Sequence, residues 1–248
     1  NGICSLNPGE DRLTLTCEME VDSRGEVVKH KIYESVIRSR ERMVYTDVSD
    51  IIEDKSDDLK ERYRHILEDI LVMDELAAIL HRSRQRRGSL DFDLDEASIT
   101  LNEVGIRTTI GVAERRVANE IIEEFMLLAN EVVARNFLLK EAPFVYRIHD
   151  KPDVLKLEEF TTFLKGFGVD LRGKDGSVYP KDLQSVLEKV KGETYENVVN
   201  TVMLRSMQKA VYSTECRGHF GLALEHYCHF TSPIRRYPDL MIHRIIKS

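Results

Sequence analysis

Alternation of apolar and polar residues predicts strands in several parts of the chain. From Leu13 to Val21 every second residue is apolar, and this period of two is typical of a strand with one buried face. The turn sequence Ser23-Arg24-Gly25 leads into a second alternating run at 28–32, so the two runs form a hairpin. Similar alternation predicts a second hairpin at 90–101, closed near Gly105, and a short strand at 144–148.

Apolar residues at helical spacing predict six helices. The first is long and amphipathic, and it begins near Ile66 and ends in the basic stretch before Gly88. Pro238 suits the first turn of the last helix. The others lie at 114–139, 156–166, 181–190 and 194–212. We expect one α+β fold, a single mixed domain of long helices packed on short antiparallel strands and hairpins, with helices 114–139 and 194–212 at its centre.

Composition is that of an ordinary globular chain. Its 248 residues are 42% hydrophobic and 32% charged, enough to bury a substantial core. No apolar run approaches the length of a membrane span. The four cysteines are far apart and form no CxxC pair, which favours reduced thiols in a cytoplasmic protein.

The charge of the chain is distributed unevenly. The net charge is −7, yet residues 203–248 carry seven Lys and Arg against three Asp and Glu, together with four of the eight histidines. A basic region on an acidic body is compatible with a nucleic-acid partner, because the local field attracts a polyanion.

The C-terminal region also contains a candidate anion site. Arg235, Arg236 and Tyr237 directly precede the helix that begins at Pro238. Helix N-termini bind anions, and arginine adds paired donors for phosphate oxygens. Tyr237 and Phe230 offer aromatic faces on which an unstacked base could lie. The alternative from composition is an arginine pair bridged to carboxylates at the helix entrance, in a half-buried core.

Several long motifs resemble one enzyme family. They are NGICSLNPG (1–9), VYTDVSD (44–50), RRGSLDFD (86–93), IIEEFMLLANEVVA (121–134), LRSMQKAVY (204–212) and HFGLAL…HFTSPIRRYPDL (219–240). Together they resemble the RNB family of 3′→5′ exoribonucleases, on its ribonuclease R branch. The resemblance implies that residues 1–248 are an RNB catalytic domain without its N-terminal Asp-rich part. It also implies that no cold-shock or S1 barrel is included.

The resemblance implies a function for the parent protein. That function is processive 3′→5′ hydrolysis of single-stranded RNA to nucleoside 5′-monophosphates with Mg²⁺, in the cytoplasm, with no membrane and no required protein partner. The alternative is an RNB-like module that holds single-stranded RNA without cutting it, which is the behaviour expected of the isolated chain. A helical scaffold whose arginine pair meets a protein partner is a third possibility.

Site residues follow from the same resemblance. Arg235 matches the arginine of the family's S-P-I-R motif, which implies stabilisation of charge on the phosphorus. Arg236 is expected to position a phosphate, and Ser232 and Tyr237 are candidate phosphate or base contacts, with packing and capping as the alternative.

Four upstream or central residues complete the predicted substrate contacts. Tyr45 matches the aromatic that closes over the 3′-terminal base, and Phe144 lies near the family's second clamping aromatic. His149 and His219 are candidate contacts to phosphate or ribose hydroxyls. The alternative for all four is a structural role in the core.

Metal ligands are not expected within this chain. The family's Asp-rich run precedes NGICSLNP, so the Mg²⁺ ligands are expected upstream of residue 1. Asp91, Asp93 and Asp95 alternate and share a face, which we interpret as a solvated strand edge. His226 and His229 would lie on one helical face, but no third ligand at suitable spacing supports zinc.

Overall fold

The first predicted hairpin is present. The computed structural model describes residues 2–92, 97–101, 107–112, 115–171, 173 and 177–248. Strands β1 (Asp11–Val21) and β2 (Val27–Arg38) pair antiparallel. Gly25 in the connecting turn has a φ of +83°, a conformation that glycine adopts without steric cost. Leu15 and Cys17 pack on the core, whereas Leu13, on the same predicted face, is 88% exposed.

The second hairpin is displaced along the chain from its predicted position. Its strands are β3 (Ala97–Leu101) and β4 (Arg107–Val112), again antiparallel. Leu90 and Phe92 lie outside the strands and contribute to a core cluster instead. Gly105, predicted to close the hairpin, lies outside the described residues.

Five of the six predicted helices lie within a few residues of their predicted positions, and the described residues form eight helices. In chain order they are α1 (Tyr45–Ile52), α2 (Asp57–Arg62), α3 (Leu67–Arg87), α4 (Val117–Leu139), α5 (Val154–Lys165), α6 (Pro180–Val190), α7 (Glu196–Ser206) and α8 (Tyr237–Lys247). A 3₁₀ turn spans Phe220–Leu222. The short helices α1 and α2 lacked a long apolar period and were not predicted.

Glycine ends the long helix α3 as the sequence predicts. Gly88 adopts a φ of +95° at the C-cap, where glycine is favoured. A Cβ there would lie 2.9 Å from the backbone of Lys181. The close approach therefore fixes the end of α3 against the start of α6.

Helix α7 is shorter than predicted. It ends at Ser206, and Met207 is already extended, with a ψ of 153°. Residues Val211–Ser213 then form β6, which pairs antiparallel with β5 (Tyr146–Ile148). Pairing with a distant strand overrides the helical propensity of this segment.

Three clusters of buried residues form the core. One joins α5, α6 and α7, a second joins the C-terminal half of α4 to β5 and α8, and a third joins α1, α2 and α3. Helices α4 and α7 are therefore not a central pair, because α4 packs on α3 while α7 packs on α5 and α6. The α+β architecture itself is confirmed.

Crossing a bilayer requires a helix that is both long and apolar. Among the helices that the structure describes, none combines these two properties.

Candidate nucleic-acid interface

The loop before α8 is fixed by an ion pair within the chain. Asp239, in the first turn of α8, is fully buried. Its carboxylate accepts hydrogen bonds from Arg236 Nε at 2.9 Å and Nη2 at 2.8 Å, and from the backbone N–H of Ser232 at 2.7 Å. The anion expected beside the arginines at this helix entrance is thus supplied by the protein for Arg236. Arg236 is therefore bridged to a carboxylate, as in the alternative from composition, and its contact with a phosphate stays a prediction.

Arg235 is placed differently from its neighbour. Its side chain is exposed, and among the described residues it forms no ion pair and no side-chain hydrogen bond. The backbone N–H of Arg235 donates to the Ser232 carbonyl, which helps to hold the turn. A guanidinium with five unused donors is ready to bind an anion.

A buried asparagine fixes the segment that leads to this loop. Asn130 of α4 is 2% exposed. Its Oδ1 accepts from the backbone N–H groups of Phe230 (2.8 Å) and Thr231 (3.2 Å), and its Nδ2 donates to the Tyr227 hydroxyl at 3.0 Å. The helix therefore positions residues 227–231, which directly precede the arginine loop.

Arg147 and Tyr212 extend the basic surface onto β5 and β6. These residues face each other in the β5–β6 pairing, and the Arg147 guanidinium lies over the Tyr212 ring at 4.7 Å from its centre. The Tyr212 hydroxyl is 2.8 Å from His229 Nδ1. Burial, and then the nearby guanidinium groups of Arg236, Arg147 and Arg235, lower the pKa of His229 to about 4.

Two predicted histidine contacts are engaged internally. His149 Nε2 lies 2.9 Å from the Gln208 carbonyl, and its Nδ1 accepts from the Gly221 N–H at 3.0 Å. Both ring nitrogens are occupied, so His149 has no free atom for a phosphate. His219 Nδ1 accepts from the Leu222 N–H and caps the 3₁₀ turn. Burial, followed by His149 and Arg147, lowers the pKa of His219 to about 3.

Five side chains of this region form what we call the basic cluster: Arg147, Tyr212, His219, His229 and Arg235, the last assigned to it because its charge acts on His229. The His219 ring lies 5.3 Å from the Tyr227 ring, and that ring lies 5.7 Å from His229. Sequence reasoning missed Arg147, Tyr212 and His229, although Tyr212 and His229 lie within motifs that carry the resemblance. Arg147 could have been noticed in the sequence as a charged residue between two apolar residues of a short predicted strand.

Phe144 is not a substrate contact. It is 2% exposed, stacks on Phe137 at 4.7 Å between ring centres, and meets Tyr146 edge-on. A base cannot reach a ring that is buried on both sides, so the prediction is wrong. The alternation that placed Phe144 on the buried face of its strand already indicated this outcome.

Tyr45 and Tyr237 are both exposed aromatics. Tyr237 opens α8 with 66% of its surface accessible. Tyr45 opens α1 and borders an apolar cavity of about 340 Å³, whose lining includes Val44, Val48 and Met73. No contact among the described residues joins Tyr45 to the basic cluster. Tyr45 remains a prediction for base stacking.

The orientation of α1, which carries Tyr45, depends on an ion pair. Arg116, at the N-terminal end of α4, donates to Asp50 at 2.6 Å and to Glu53 at 2.9 Å. Hydrogen bonding to Arg116 and then to Lys55 lowers the pKa of Glu53 to about 2. Asp50 is therefore a structural partner of Arg116.

Magnesium does not fit the side chains that the structure describes. Nowhere in that part of the chain do three or more His, Cys, Asp or Glu side chains form a group that could hold a metal ion. Asp91 is bound to Arg84 and Arg115 rather than solvated, and Asp93 and Asp95 lie outside the described residues. His226 and His229 lie in an irregular segment, not on a helical face.

Comparison with known proteins identifies the family. The whole chain, residues 1–248, matches the RNB domain. The chain belongs to the RNB domain family. Ribonuclease R 1 of Lactococcus lactis is 46% identical over 247 residues, which cover 100% of this chain and 30% of that protein. The chain therefore spans about a third of the length of the curated relatives it matches.

Solved RNB structures share the fold. RNase R of Mycoplasma genitalium, in complex with ribose-methylated single-stranded RNA, superposes with a TM-score of 0.92 at 29% identity, covering 99% of this chain and 38% of that one. Yeast Ssd1, a pseudonuclease, superposes with a TM-score of 0.74 at 20% identity, covering 98% of this chain and 30% of that one. The second likeness concerns the fold alone.

Proposed function

We propose that this RNB domain holds the 3′ end of single-stranded RNA and serves a processive 3′→5′ exoribonuclease that releases nucleoside 5′-monophosphates. The observation that carries the proposal is the exposed Arg235 guanidinium of the basic cluster, which has no side-chain partner among the described residues. Relatives that match the full chain are named ribonuclease R, and an RNA complex is known for a protein of the same fold.

Hydrolysis of the last linkage defines what Arg235 would do. Water attacks the phosphorus, the 3′-oxygen of the preceding nucleotide leaves, and the phosphate departs on the released nucleotide. Negative charge on the phosphoryl oxygens is redistributed as the transition state forms, and a guanidinium placed there stabilises it. Arg235 performs this role, while the Arg236–Asp239 pair holds the loop that presents it.

We propose that the parent protein, rather than the residues described here, binds the Mg²⁺ used in hydrolysis. No metal step is assigned to the residues described here, because they form no cluster of ligands. We place the Mg²⁺ ligands before residue 1. The cytoplasm remains the proposed compartment.

A second candidate function is RNA binding without cleavage. The absence of a ligand cluster among the described residues favours it for the isolated chain. A pseudonuclease shares the fold, so fold alone does not separate the two. The isolated chain is expected to bind single-stranded RNA and to release no nucleotides from it.

Turnover of a labelled oligonucleotide tests the proposal. Full-length protein is incubated with 5′-labelled (A)20 and Mg²⁺, and monophosphate release and the Kd are measured for wild type and Arg235→Gln. We expect kcat to fall by about two to three orders of magnitude and the Kd to change by a few-fold. Arg82→Gln is the control. It removes an exposed arginine on α3, and its kcat and Kd should match those of wild type.

Two results would contradict the proposal. Wild-type protein that binds (A)20 without releasing nucleotides would establish the binding module instead. Equal losses of affinity and rate in Arg235→Gln would make Arg235 a positioning residue only.

A further inference from the structure

Arg147 is held by a ring rather than by a carboxylate. It lies on β5 between two buried residues, and its guanidinium stacks over Tyr212 at 4.7 Å. No described residue forms an ion pair or a side-chain hydrogen bond with it. Stacking fixes the plane of the guanidinium and leaves its N–H donors unused.

His229 offers a neutral donor beside this arginine. The Tyr212 hydroxyl is 2.8 Å from His229 Nδ1 and has no other partner among the described residues. We assign the hydroxyl as the donor to Nδ1, which places the ring proton on Nε2. That Nε2–H has no partner in the described part of the chain.

Positive charge in this region is not balanced by nearby carboxylates. The charged groups whose fields act on the His229 ring are Arg147, Arg235 and Arg236, together with Asp239. Asp239 is already bound by Arg236 and by the Ser232 N–H. The other nearby carboxylate, Asp150, pairs with Arg217 at 3.4 Å.

An external anion would stabilise the two guanidinium groups of this region that have no partner among the described residues. Cations held together without counter-charge repel each other, and an anion removes that cost. Arg147 and Arg235 come from segments almost ninety residues apart in the sequence, yet both act on the same imidazole ring. A chain that carries several phosphates satisfies both.

We propose that Arg147, stacked on Tyr212, and the Nε2–H of His229 form a second phosphate subsite for single-stranded RNA, separate from the linkage held by Arg235. This inference rests on the proposed function. The second phosphate lies on the 5′ side of that linkage, because an enzyme that cuts the last linkage has internal phosphates on that side only. Contact with phosphate alone is independent of base sequence.

Salt dependence of binding measures this subsite directly. For full-length protein and (A)20, each phosphate of a single strand that the protein neutralises adds about 0.7 to the steepness of log Kobs against log[salt]. Arg147→Gln is expected to make the slope shallower by about 0.7 and to raise the Kd about 10- to 100-fold. The effect of Arg147→Gln is expected on the Kd and on the slope, whereas the effect of Arg235→Gln is expected mainly on kcat.

Matched variants separate charge from stacking. Arg147→Lys keeps the charge without the planar fork, so it should restore the slope and recover part of the affinity. Tyr212→Phe keeps the ring but removes the hydroxyl that bonds to His229 Nδ1, so the proton of His229 is no longer held on Nε2. This variant should raise the Kd by a few-fold with an unchanged slope. Arg82→Gln controls for the removal of one exposed charge.

Arginine labelling in the wild-type protein gives a readout that needs no variant. Phenylglyoxal should modify Arg147, Arg235 and Arg82 in the free protein, and bound (A)20 should protect the first two but not Arg82. If Arg147→Gln fails to fold, as judged by its thermal transition, this protection decides.

Each outcome bears on one proposal or the other. A wild-type slope and Kd in Arg147→Gln, or a higher Kd with an unchanged slope, would overturn the subsite, as would labelling of Arg147 that RNA does not reduce. Wild-type protein that neither binds nor degrades (A)20 would overturn the proposed function and the subsite with it. Binding without degradation would leave the subsite tests valid.

Discussion

Arg236 and Asp239 form a two-bond ion pair across the first turn of α8. The carboxylate is completely buried, the guanidinium is 24% exposed at its side chain, and the same carboxylate also accepts from the Ser232 N–H. The pair therefore closes the loop 232–236 onto the helix. As a consequence, the two adjacent arginines differ: Arg236 holds the loop in place, whereas the Arg235 side chain faces solvent.

Removing the buried carboxylate should destabilise the fold. Asp239→Asn leaves Arg236 without its charge partner, and we expect the free energy of unfolding to fall by about 2–3 kcal/mol. This is below the loss of about 3–5 kcal/mol typical of fully buried pairs, because Arg236 is partly exposed. Chemical denaturation measures the change. Asp58→Asn, an exposed carboxylate in the first turn of α2, is the control, and an equal effect of the two variants would refute the structural role of the pair.

Substitution of Asn130 should strongly lower the free energy of unfolding. Asn130→Ala removes two acceptor bonds to backbone N–H groups and one donor bond to Tyr227. Leaving buried groups unsatisfied costs about 1–3 kcal/mol each, so we expect a decrease of about 3 kcal/mol or more in unfolding free energy.

The matched control for Asn130 lies on the same helix. Asn136 makes one long contact, at 3.4 Å, to His30, and Asn136→Ala should cost less than about 1 kcal/mol. RNA affinity of the Asn130 variant should fall as well, since residues 227–231 lead to the arginine loop. A stable Asn130→Ala protein with normal affinity would show that the segment is positioned by other contacts.

Acid should destabilise the protein through two partly buried histidines. The pKa of His229 is lowered to about 4 and that of His219 to about 3, mainly by burial. As the pH falls below 6.5, the ordinary pKa of histidine, these histidines bind protons in the unfolded chain but stay neutral in the folded chain. Stability is therefore full above pH 6.5 and is lost progressively as the pH falls toward 4 and then 3.

A variant assigns the acid effect to these rings. His219→Asn should flatten the dependence of unfolding free energy on pH between 6.5 and 4, whereas His65→Asn, an exposed histidine, should leave it unchanged. Denaturation at a series of pH values measures both. Parallel pH profiles for wild type and His219→Asn would exclude His219 as a source of the dependence.

Tyr45 should influence how far an RNA is degraded. Its exposed ring at the start of α1 can stack on a base, and removal of such stacking costs about 1–3 kcal/mol per base. In the full-length protein, Tyr45→Ala is expected to change the length of the final product of 5′-labelled (A)20, and Tyr45→Phe is expected to preserve it. Tyr33→Ala, on the β1–β2 hairpin, is the control. Unchanged product length in Tyr45→Ala would remove Tyr45 from the RNA path.

The sequence by itself determined the longer elements of this protein. Periods of two and 3.6 predicted the first hairpin, α3, α4 and the strand β5, because each period reflects one buried face of one element. Gly88 and Pro238 marked helix ends for local steric reasons. The motifs identified the family without any coordinates.

Tertiary structure decided which side chains are free to act. Arg235 and Arg236 are adjacent in sequence and alike in chemistry, and only the burial of Asp239 distinguishes them. Arg147 contacts Tyr212 because β6 pairs with β5, and Tyr212 in turn contacts His229. These segments are too distant in the sequence for local periodicity to indicate the contacts. Burial, hydrogen-bond partners and electrostatic fields are properties of neighbours in space, so they could not be read from a pattern along the chain.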